Sequence, residues 1–330
     1  MIELIYPRWL FPNNLGDSIM VGILPPILRD FYNSPVKVYT YGEDYCKLMG
    51  CAVDSKDIEW VNCNTQVPML DYRSYAMSNY NRATNLKVVY PEWHPNLWDE
   101  YGHFYGFSIS ILAVNYLLQL GFDSRSIREL YFKGTYSLIP SIRTQTKHPG
   151  PWRPLRIGIV PDTKLANRPV PHPGCDGIGY RFNGPNGEKS WAELVSELRS
   201  YYGHKIKIIE FSENSRLNLG DEVIGHTDLF KLAQIVENLD FCILSDGGMH
   251  HLCNAMGVHT YLLNAQKINK AEYFQTSMDW VGERSCKCDI LGLKGWTDLD
   301  KVCNLECEKV DPKKVAEGVI ECLKYRKIIV

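Results

Sequence analysis

Short apolar runs alternate with longer amphipathic stretches along the chain. Near the start, the pattern predicts a strand at Glu3–Tyr6, a loop at Pro7–Gly16, an apolar stretch at Ser18–Tyr32 and a second strand at Val36–Tyr41. Pro25-Pro26 should end or kink the helix in the apolar stretch, because proline has no N–H to donate. This is the rhythm of βαβ units, which form parallel sheets whose ligands lie at the carboxyl ends of the strands.

The same alternation is clearer over residues 156–263. Strands are predicted at Arg156–Val160, Lys205–Phe211, Phe241–Leu244 and His259–Leu263, and helices at Trp191–Tyr202, Asp228–Asn238 and His250–Met256. The spacing of apolar positions predicts one more amphipathic helix at Val315–Leu323. The second half of the chain should therefore be a doubly wound α/β domain.

A polar segment at 143–156 with three prolines and a glycine separates the two halves. The chain has 330 residues, too many for one ordinary core. We therefore expect an N-terminal domain at 1–150, a second domain at 151–310 and a C-terminal helix at 311–330.

Composition narrows the functional classes. Apolar residues make up 45% of the chain, charged residues 22%, and the formal net charge is −2, so no global positive field attracts nucleic acid or anionic lipid. The longest apolar run, Ile109–Leu120, is interrupted by Asn115 and Gln119 and is too short to span a bilayer. The N-terminus has no signal-peptide pattern. We expect a cytoplasmic protein without a transmembrane segment, with peripheral membrane attachment left open.

The 11 cysteines should be mostly reduced, since no export signal is present. Four of them form two close pairs near the end of the chain, Cys286 with Cys288 and Cys303 with Cys307. Zinc sites usually have tighter Cys-x-x-Cys pairs. Packing thiols are thus favoured over a structural zinc, and no metal is expected.

The segment Phe241–Gly257 carries the clearest chemistry. An apolar strand ends at Leu244, Ser245 and Asp246 follow at its carboxyl end, and Gly247-Gly248 would let a ligand approach the backbone closely. The helix that starts there directs free N–H groups and its positive end to the same place, which suits phosphate. Gly257 should end that helix.

Asp246 does not suit a bare phosphate, because a carboxylate repels it. The hydroxyls of a sugar attached to the diphosphate would donate to Asp246. The alternative is that Asp246 only caps the helix. The residues alone leave both interpretations open.

A family resemblance favours the interpretation that Asp246 binds a donor sugar over the interpretation that it only caps the helix. Asp246-x-Gly248-x-x-His251-Leu-x-x-Ala255-x-Gly257 resembles the donor signature of the heptosyltransferases, glycosyltransferase family 9. Supporting segments, over about half of the chain, are Asn14-Leu-Gly-Asp17, Arg156–Val160, Lys189-Ser-Trp191, Glu222 and Thr227–Ala233. The resemblance implies the GT-B fold: two Rossmann-like doubly wound domains that face a cleft, the first for the acceptor and the second for the nucleotide-sugar donor. In such folds the C-terminal helix often packs back on the first domain.

The resemblance also implies roles for individual residues. Asp17 would be the general base, although its residue type and place also suit a helix cap. Lys189 would neutralise the departing diphosphate, and Asp246 would orient the donor sugar. The donor phosphates would be held by the N–H groups of Gly247, Gly248 and Met249 with His251 nearby, and the ribose by Glu222. His250 is an extra histidine, either a solvated neighbour or a second phosphate contact.

Residues 60–105 are rich in tyrosine, tryptophan, asparagine and histidine. Aromatic faces stack on sugars and on bases. Tyr72, Trp93 and His94, together with Asn14, are therefore candidate acceptor-binding residues. An irregular loop packed by its own rings is the other interpretation.

The predicted activity is an inverting, metal-independent transfer of a sugar, without a cofactor, from a nucleotide-diphosphate donor to a hydroxyl of a glycan or lipid-linked saccharide. Three alternatives stay open: transfer to a hydroxymethylated base in phage DNA, a non-catalytic sugar-nucleotide-binding protein, and an epimerase of the same architecture. The DNA alternative needs a basic groove, which the overall charge does not favour.

Overall fold

The chain folds into two compact units. The computed structural model describes residues 1–6, 15–63, 87–89, 140–144, 153–161, 187–212, 217–244, 247–263, 279–281 and 311–328. The first unit comprises Met1–Gln145 with Asp228–Gln234 and Ala255–Gly257, and the second comprises Thr146–Thr227, Ile235–Asn254 and Val258–Val330. The change of unit after Gln145 falls within the polar segment at 143–156.

The first unit is built on a parallel sheet with helices in the connections. Its elements are β1 (Ile2–Ile5), α1 (Leu15–Val21), α2 (Leu24–Tyr32), β2 (Val36–Thr40), α3 (Glu43–Gly50), β3 (Ile58–Asn62) and β4 (Lys87–Val89). The strand order is β3-β2-β1-β4 and every pair is parallel. The chain therefore leaves β1 on one side toward β2 and returns on the other side with β4.

The helices of this unit follow the apolar pattern, with one difference at the prolines. The apolar stretch forms two helices, because α1 ends at Val21 and α2 begins at Leu24. Pro25 and Pro26 lie in the first turn of α2, where an N–H has no partner within the helix, so they cost no hydrogen bond. The expected loop up to Gly16 is shorter, since Leu15 and Gly16 already belong to α1.

The second unit contains a larger parallel sheet. Its elements are β5 (Leu155–Ile159), α4 (Gly187–Tyr202), β6 (Ile206–Phe211), β7 (Glu222–Ile224), α5 (Leu229–Glu237), β8 (Phe241–Leu244), α6 (Gly248–Ala255), β9 (His259–Leu262), β10 (Asp279–Val281) and α7 (Pro312–Tyr325). The strand order is β10-β9-β8-β5-β6-β7, all parallel. This confirms the doubly wound α/β prediction for this half of the chain.

Helices α4 and α7 cover one face of this sheet together. The core between them and the sheet combines residues of three kinds of element: Ile157, Ile208 and Ile243 from strands, Trp191, Leu194 and Leu198 from α4, and Val315, Val319 and Leu323 from α7. We expected that the terminal helix could pack back on the N-terminal domain. The structure assigns this helix to the second unit, where its apolar stripe is buried against α4.

A buried carboxylate fixes the connection between β6 and β7. Glu210 is fully buried in β6, and its two carboxylate oxygens accept the N–H groups of Leu217 (2.8 Å), Leu219 (2.8 Å) and Gly220 (3.2 Å). These charge-assisted bonds compensate for the cost of burying the charge. Glu210 therefore holds the chain that leads into β7.

The end of α6 has the backbone conformation expected from Gly257. Gly257 follows α6 with φ of 74°, a left-handed conformation that favours glycine. The N–H of Val258 donates to the carbonyl of Cys253 at 2.9 Å, the bond typical of a glycine-terminated helix. The prediction that Gly257 ends this helix is confirmed.

Several short elements were not predicted: α3, β3, β4, β7 and β10. Each has eight residues or fewer, so periodicity is weak evidence for them. The apolar run at Ile109–Leu120 lies outside the described residues. No helix in the described part of the chain has the length and apolarity that a membrane crossing requires.

Candidate functional site

The predicted donor segment lies at the point where the second sheet reverses its order. β5 pairs with β6 on one side and with β8 on the other, and β8 continues to β9. Connections from β5 and β8 thus leave toward opposite sides, which opens a crevice at their carboxyl ends, the usual ligand site of such sheets. β8 ends at Leu244 on that edge, and Gly247 is the next residue that the structure describes.

The backbone at this edge has the form expected of an anion site. Gly247 has φ of 157°, a value that favours glycine, and a Cβ built there meets nothing within 4 Å. α6 begins at Gly248, and its first hydrogen bond joins the N–H of His251 to the carbonyl of Gly247 at 3.3 Å. The N–H groups of Gly248 and Met249 are the first in the helix, where helices leave N–H groups free of intrahelical bonds. Among the described residues, no atom comes close enough to Gly247 to keep a ligand from these groups.

Two histidines in the first turn of α6 are buried. His250 is fully buried and His251 is 4% exposed, and their ring centroids are 4.8 Å apart. The side chain of Asn254 donates to the carbonyl of His250 at 3.2 Å. Because His250 is buried, it is not the solvated neighbour that the sequence allowed. His251 lies under the site and has little surface with which to contact a phosphate.

Two thiols lie beneath the same strand–helix unit. Cys242 of β8 and Cys253 of α6 are fully buried, free, and joined by a side-chain hydrogen bond. Burial first, and then the neighbouring Cys253, raise the pKa of Cys242 well above its usual range. Cys242 is therefore a protonated packing group, and with Cys253 it joins β8 to α6.

Lys189 lies at the same edge of the sheet. It belongs to the first turn of α4 and is exposed. α4 follows the connection that leaves the carboxyl end of β5, so its N-terminus lies on the ligand side of the sheet. The structure thus brings Lys189 and the start of α6 to one edge, as the predicted donor site requires.

Glu222 is placed differently. It begins β7, three strands from β8 in the sheet order, roughly 14 Å at ordinary strand spacing. Its carboxylate pairs with Lys207 at 3.2 Å and with Arg156 at 3.6 Å, both near the amino-terminal ends of their strands. The structure does not bring Glu222 to the start of α6.

In the first unit, Asp17 lies in α1 on the carboxyl side of β1. β1 lies between β2 and β4, so the segment after it leaves the sheet at the switch point of that unit. The prediction placed Asp17 in a loop or at a cap, and the structure places its backbone within α1, Leu15–Val21.

Two buried tyrosines, which the sequence analysis missed, anchor α1. The hydroxyl of Tyr6 donates to the carbonyl of Val21, and that of Tyr45 to the carbonyl of Ser18, each at 2.6 Å. Burial raises the pKa of both tyrosines well above the usual range, so both stay protonated as donors. Trp60 packs on both rings, with centroids 6.4 Å from Tyr6 and 5.7 Å from Tyr45. The sequence signal was present, since tyrosine buried in a core needs a partner for its hydroxyl.

The other candidates lie outside the described residues. These are Asp246, the acceptor candidates Asn14, Tyr72, Trp93 and His94, and the cysteines Cys286, Cys288, Cys303 and Cys307. Among the residues that the structure does describe, no group of three or more His, Cys, Asp or Glu side chains could hold a metal ion.

Solved glycosyltransferases have a similar fold. The Escherichia coli ADP-heptose lipopolysaccharide heptosyltransferase II matches with a TM-score of 0.59 and 13% identity over 99% of each chain. A glycosyltransferase family 9 protein from Veillonella parvula DSM 2008 matches with a TM-score of 0.59 and 14% identity over 98% of this chain and 97% of that one.

A third similar structure is the iron-containing dodecameric glycosyltransferase TibC from enterotoxigenic E. coli H10407, with a TM-score of 0.58 and 12% identity over 99% of this chain and 77% of that one. TibC, described there as a heptosyltransferase, has also been solved with ADP-D-β-D-heptose. No protein-family model and no curated protein matches the chain by sequence. The chain has the GT-B fold of these enzymes.

Proposed function

We propose that this chain is a glycosyltransferase that transfers a sugar from a nucleotide-diphosphate donor. The observation that supports this most is the position of the β8–α6 segment. The segment with the donor signature lies at the switch point of the second sheet, with a helix N-terminus and a glycine-favouring backbone. Such a site binds phosphate, and the fold is that of sugar-nucleotide enzymes.

In the proposed site, the diphosphate lies on the N–H groups of Gly248 and Met249. Asp246 accepts hydrogen bonds from the donor sugar, which orients its anomeric carbon. Lys189 lies where negative charge develops as the diphosphate leaves, and a positive group there stabilises the transition state. Glu222 contributes to ribose binding only if its pairing with Lys207 and Arg156 opens.

The chemical step is a single displacement. The acceptor hydroxyl attacks the anomeric carbon while the bond from that carbon to the diphosphate oxygen breaks. The hydroxyl proton passes to the Asp17 carboxylate, and the electron pair of the broken bond leaves on the diphosphate. Attack from the opposite side inverts the anomeric centre. Lys189 and the α6 dipole do the electrostatic work, so we propose that no metal is needed at the phosphates and that EDTA leaves the rate unchanged.

The acceptor in this proposal is a hydroxyl of a glycan or of a lipid-linked saccharide. Asn14, Tyr72, Trp93 and His94 are its proposed contacts. In this proposal the protein works in the cytoplasm, at the membrane surface where the acceptor is lipid-linked. An ADP-linked sugar is the first donor to test, since TibC was solved with one.

A thermal-shift screen tests the donor site. ADP-, GDP-, UDP-, CMP- and dTDP-linked sugars are compared on the wild-type protein, Asp246→Asn and the control Asp57→Asn. Asp57 is exposed with φ of 58°, a conformation that asparagine also adopts. A ligand at a hundred times its dissociation constant adds about 2.7 kcal/mol of stability. One donor should stabilise the wild type and Asp57→Asn but not Asp246→Asn.

If no donor shifts the melting temperature, or Asp246→Asn responds like the wild type, the donor site is elsewhere. Release of nucleoside diphosphate from the binding donor, measured with a glycan acceptor mixture, separates a transferase from a protein that only binds sugar nucleotides. Binding without release in every mixture would favour the binding protein.

A further inference from the structure

A surface groove runs between α4 and α7, on the outer side of the second unit. Its volume is about 450 Å³, and it is lined by Glu197, Tyr201, Glu317, Ile320 and Lys324, among others. Tyr201 is 53% exposed, and Tyr325 at the end of α7 is 75% exposed. Within the groove, the Tyr201 ring is thus left in water beside the apolar Ile320, which is typical of an interaction surface.

The charged residues of the groove indicate which kind of partner fits it. Three carboxylates (Glu197, Glu317, Glu321) lie beside two lysines (Lys313, Lys324). This mixture does not suit a nucleic acid or an anionic membrane, both of which need a basic surface. It suits a surface that carries both signs in the same arrangement, as a second copy of the same chain does.

The order of side chains along α7 allows such pairing. In an antiparallel pair of identical helices, the number of each residue and the number of the residue it faces add up to the same total along the whole pair. With Ile320 opposite Glu321 of the partner subunit, Glu317 lies opposite Lys324 of the partner subunit, and Lys324 opposite the partner's Glu317. The twofold axis then passes between Ile320 and Glu321, with one Glu317–Lys324 ion pair on each side of it.

The contacts within one subunit prepare Lys324 for this role. Its Nζ lies 4.9 Å from the centroid of the Tyr201 ring, which holds the ammonium group over the groove. The Tyr325 ring packs against Trp280 with centroids 5.6 Å apart, so it is also held in place. Side chains that are ordered before association lose less entropy when a partner binds.

We propose that the groove between α4 and α7 is a homodimer interface, formed by antiparallel pairing of α7 with α7 of a second copy through Glu317 and Lys324. The face formed by α4 and α7 covers one side of the sheet, whereas the proposed donor site lies at its carboxyl edge. Dimerisation therefore leaves donor binding unchanged, and its failure says nothing about the proposed transferase activity.

Sedimentation velocity over a concentration series tests the proposal. We expect a weak, transient interface, so the series should cover protein concentrations of about 1–100 μM. The wild type should shift from monomer to dimer across that range. Glu317→Lys and Lys324→Glu should each weaken association at least about tenfold, since like charges then face each other. The double variant Glu317→Lys/Lys324→Glu exchanges the signs and should dimerise nearly as well as the wild type.

Lys205→Glu is the matched control, because it makes the same charge change at an exposed site of the second unit that does not line the groove. It should dimerise like the wild type, and the melting temperature of each variant checks that it folds. A wild type that stays monomeric throughout, or a dimer that tolerates both single charge reversals, overturns the proposal. Single variants that dissociate without recovery in the double variant overturn the Glu317–Lys324 register.

Discussion

Gly158 of β5 lies in register beside Cys242 of β8, and a Cβ on Gly158 would come within 2.9 Å of the Cys242 sulfur. It would also meet Leu239 at 2.8 Å and Phe211 at 3.1 Å. These two strands form the switch point of the second sheet. Close contact at Gly158 thus sets the spacing of the strands whose connections form the proposed donor site.

Gly158→Ala should lower the free energy of unfolding by about 1–3 kcal/mol, the usual cost of overpacking a core. Chemical denaturation followed by circular dichroism measures it. Gly50→Ala is the control, because Gly50 ends α3 and a Cβ there meets nothing within 4 Å. The control should be neutral or slightly stabilising. Equal stabilities of the two variants would contradict the close packing.

Glu210→Gln should destabilise the second unit by about 2–4 kcal/mol. The amide has one acceptor oxygen in place of two, so its NH₂ group would face backbone donors in a buried site. Glu59→Gln is the control, since Glu59 is exposed and only pairs with Lys37 at 3.1 Å. Its unfolding free energy should change by less than about 1 kcal/mol. A neutral Glu210→Gln would show that the carboxylate does not hold the β6–β7 connection.

Lys189→Ala should reduce turnover about 10²-fold or more with a small change in donor affinity, because Lys189 acts mainly on the charge of the leaving diphosphate. Lys205→Ala is a suitable control, since Lys205 is an exposed lysine just past the opposite end of α4. Steady-state release of nucleoside diphosphate measures both. The prediction fails if the two lysine variants have the same kcat.

Asp17→Asn should reduce turnover about 10²- to 10⁴-fold, the range for loss of a general base. Donor affinity in the thermal-shift assay should be unchanged, because the base acts on the acceptor. Asp44→Asn is the control, a partly exposed acidic residue in the first turn of a helix of the same unit. Full activity of Asp17→Asn would leave Asp17 as a helix residue without a catalytic role.

Tyr45→Phe should lower the unfolding free energy by about 1–2 kcal/mol, because the Ser18 carbonyl loses its buried donor. If this bond positions α1 for catalysis, kcat should fall several-fold while donor affinity stays constant. Tyr39→Phe tests specificity, since the Tyr39 hydroxyl donates to Glu3 at 3.2 Å on the neighbouring strand instead of to α1. A change in donor affinity equal to the change in kcat would argue against positioning of α1.

The local sequence pattern was sufficient to predict the longer helices and strands and to select the candidate functional residues. β8 has the predicted bounds, and α6 begins at Gly248 and ends two residues before Gly257. These features could be predicted because hydrophobic periodicity, helix capping and glycine conformation depend on residues that are close in the sequence. The composition of the segment also predicted a strand followed by glycines and a helix N-terminus, the arrangement on which the proposed phosphate site rests.

Short strands such as β7 were not predictable, because three residues carry too little periodicity. The burial of His250 and the pairing of Glu222 with Lys207 were also not evident, since each depends on side chains distant in the sequence. The same holds for Glu210, although a charged residue inside the apolar run Ile206–Phe211 was a visible signal.

The sequence by itself determined the α/β class and the alternation of strands and helices over residues 156–263. Only the tertiary structure decided the strand orders, and with them the two switch points beside β1 and β5. Strand order depends on which distant segments pair, and the pairing energy depends on the packing of both sheet faces rather than on local preference. The hydrogen bonds from Tyr6 and Tyr45 to α1 follow from the same packing, because they join residues that only the fold brings together.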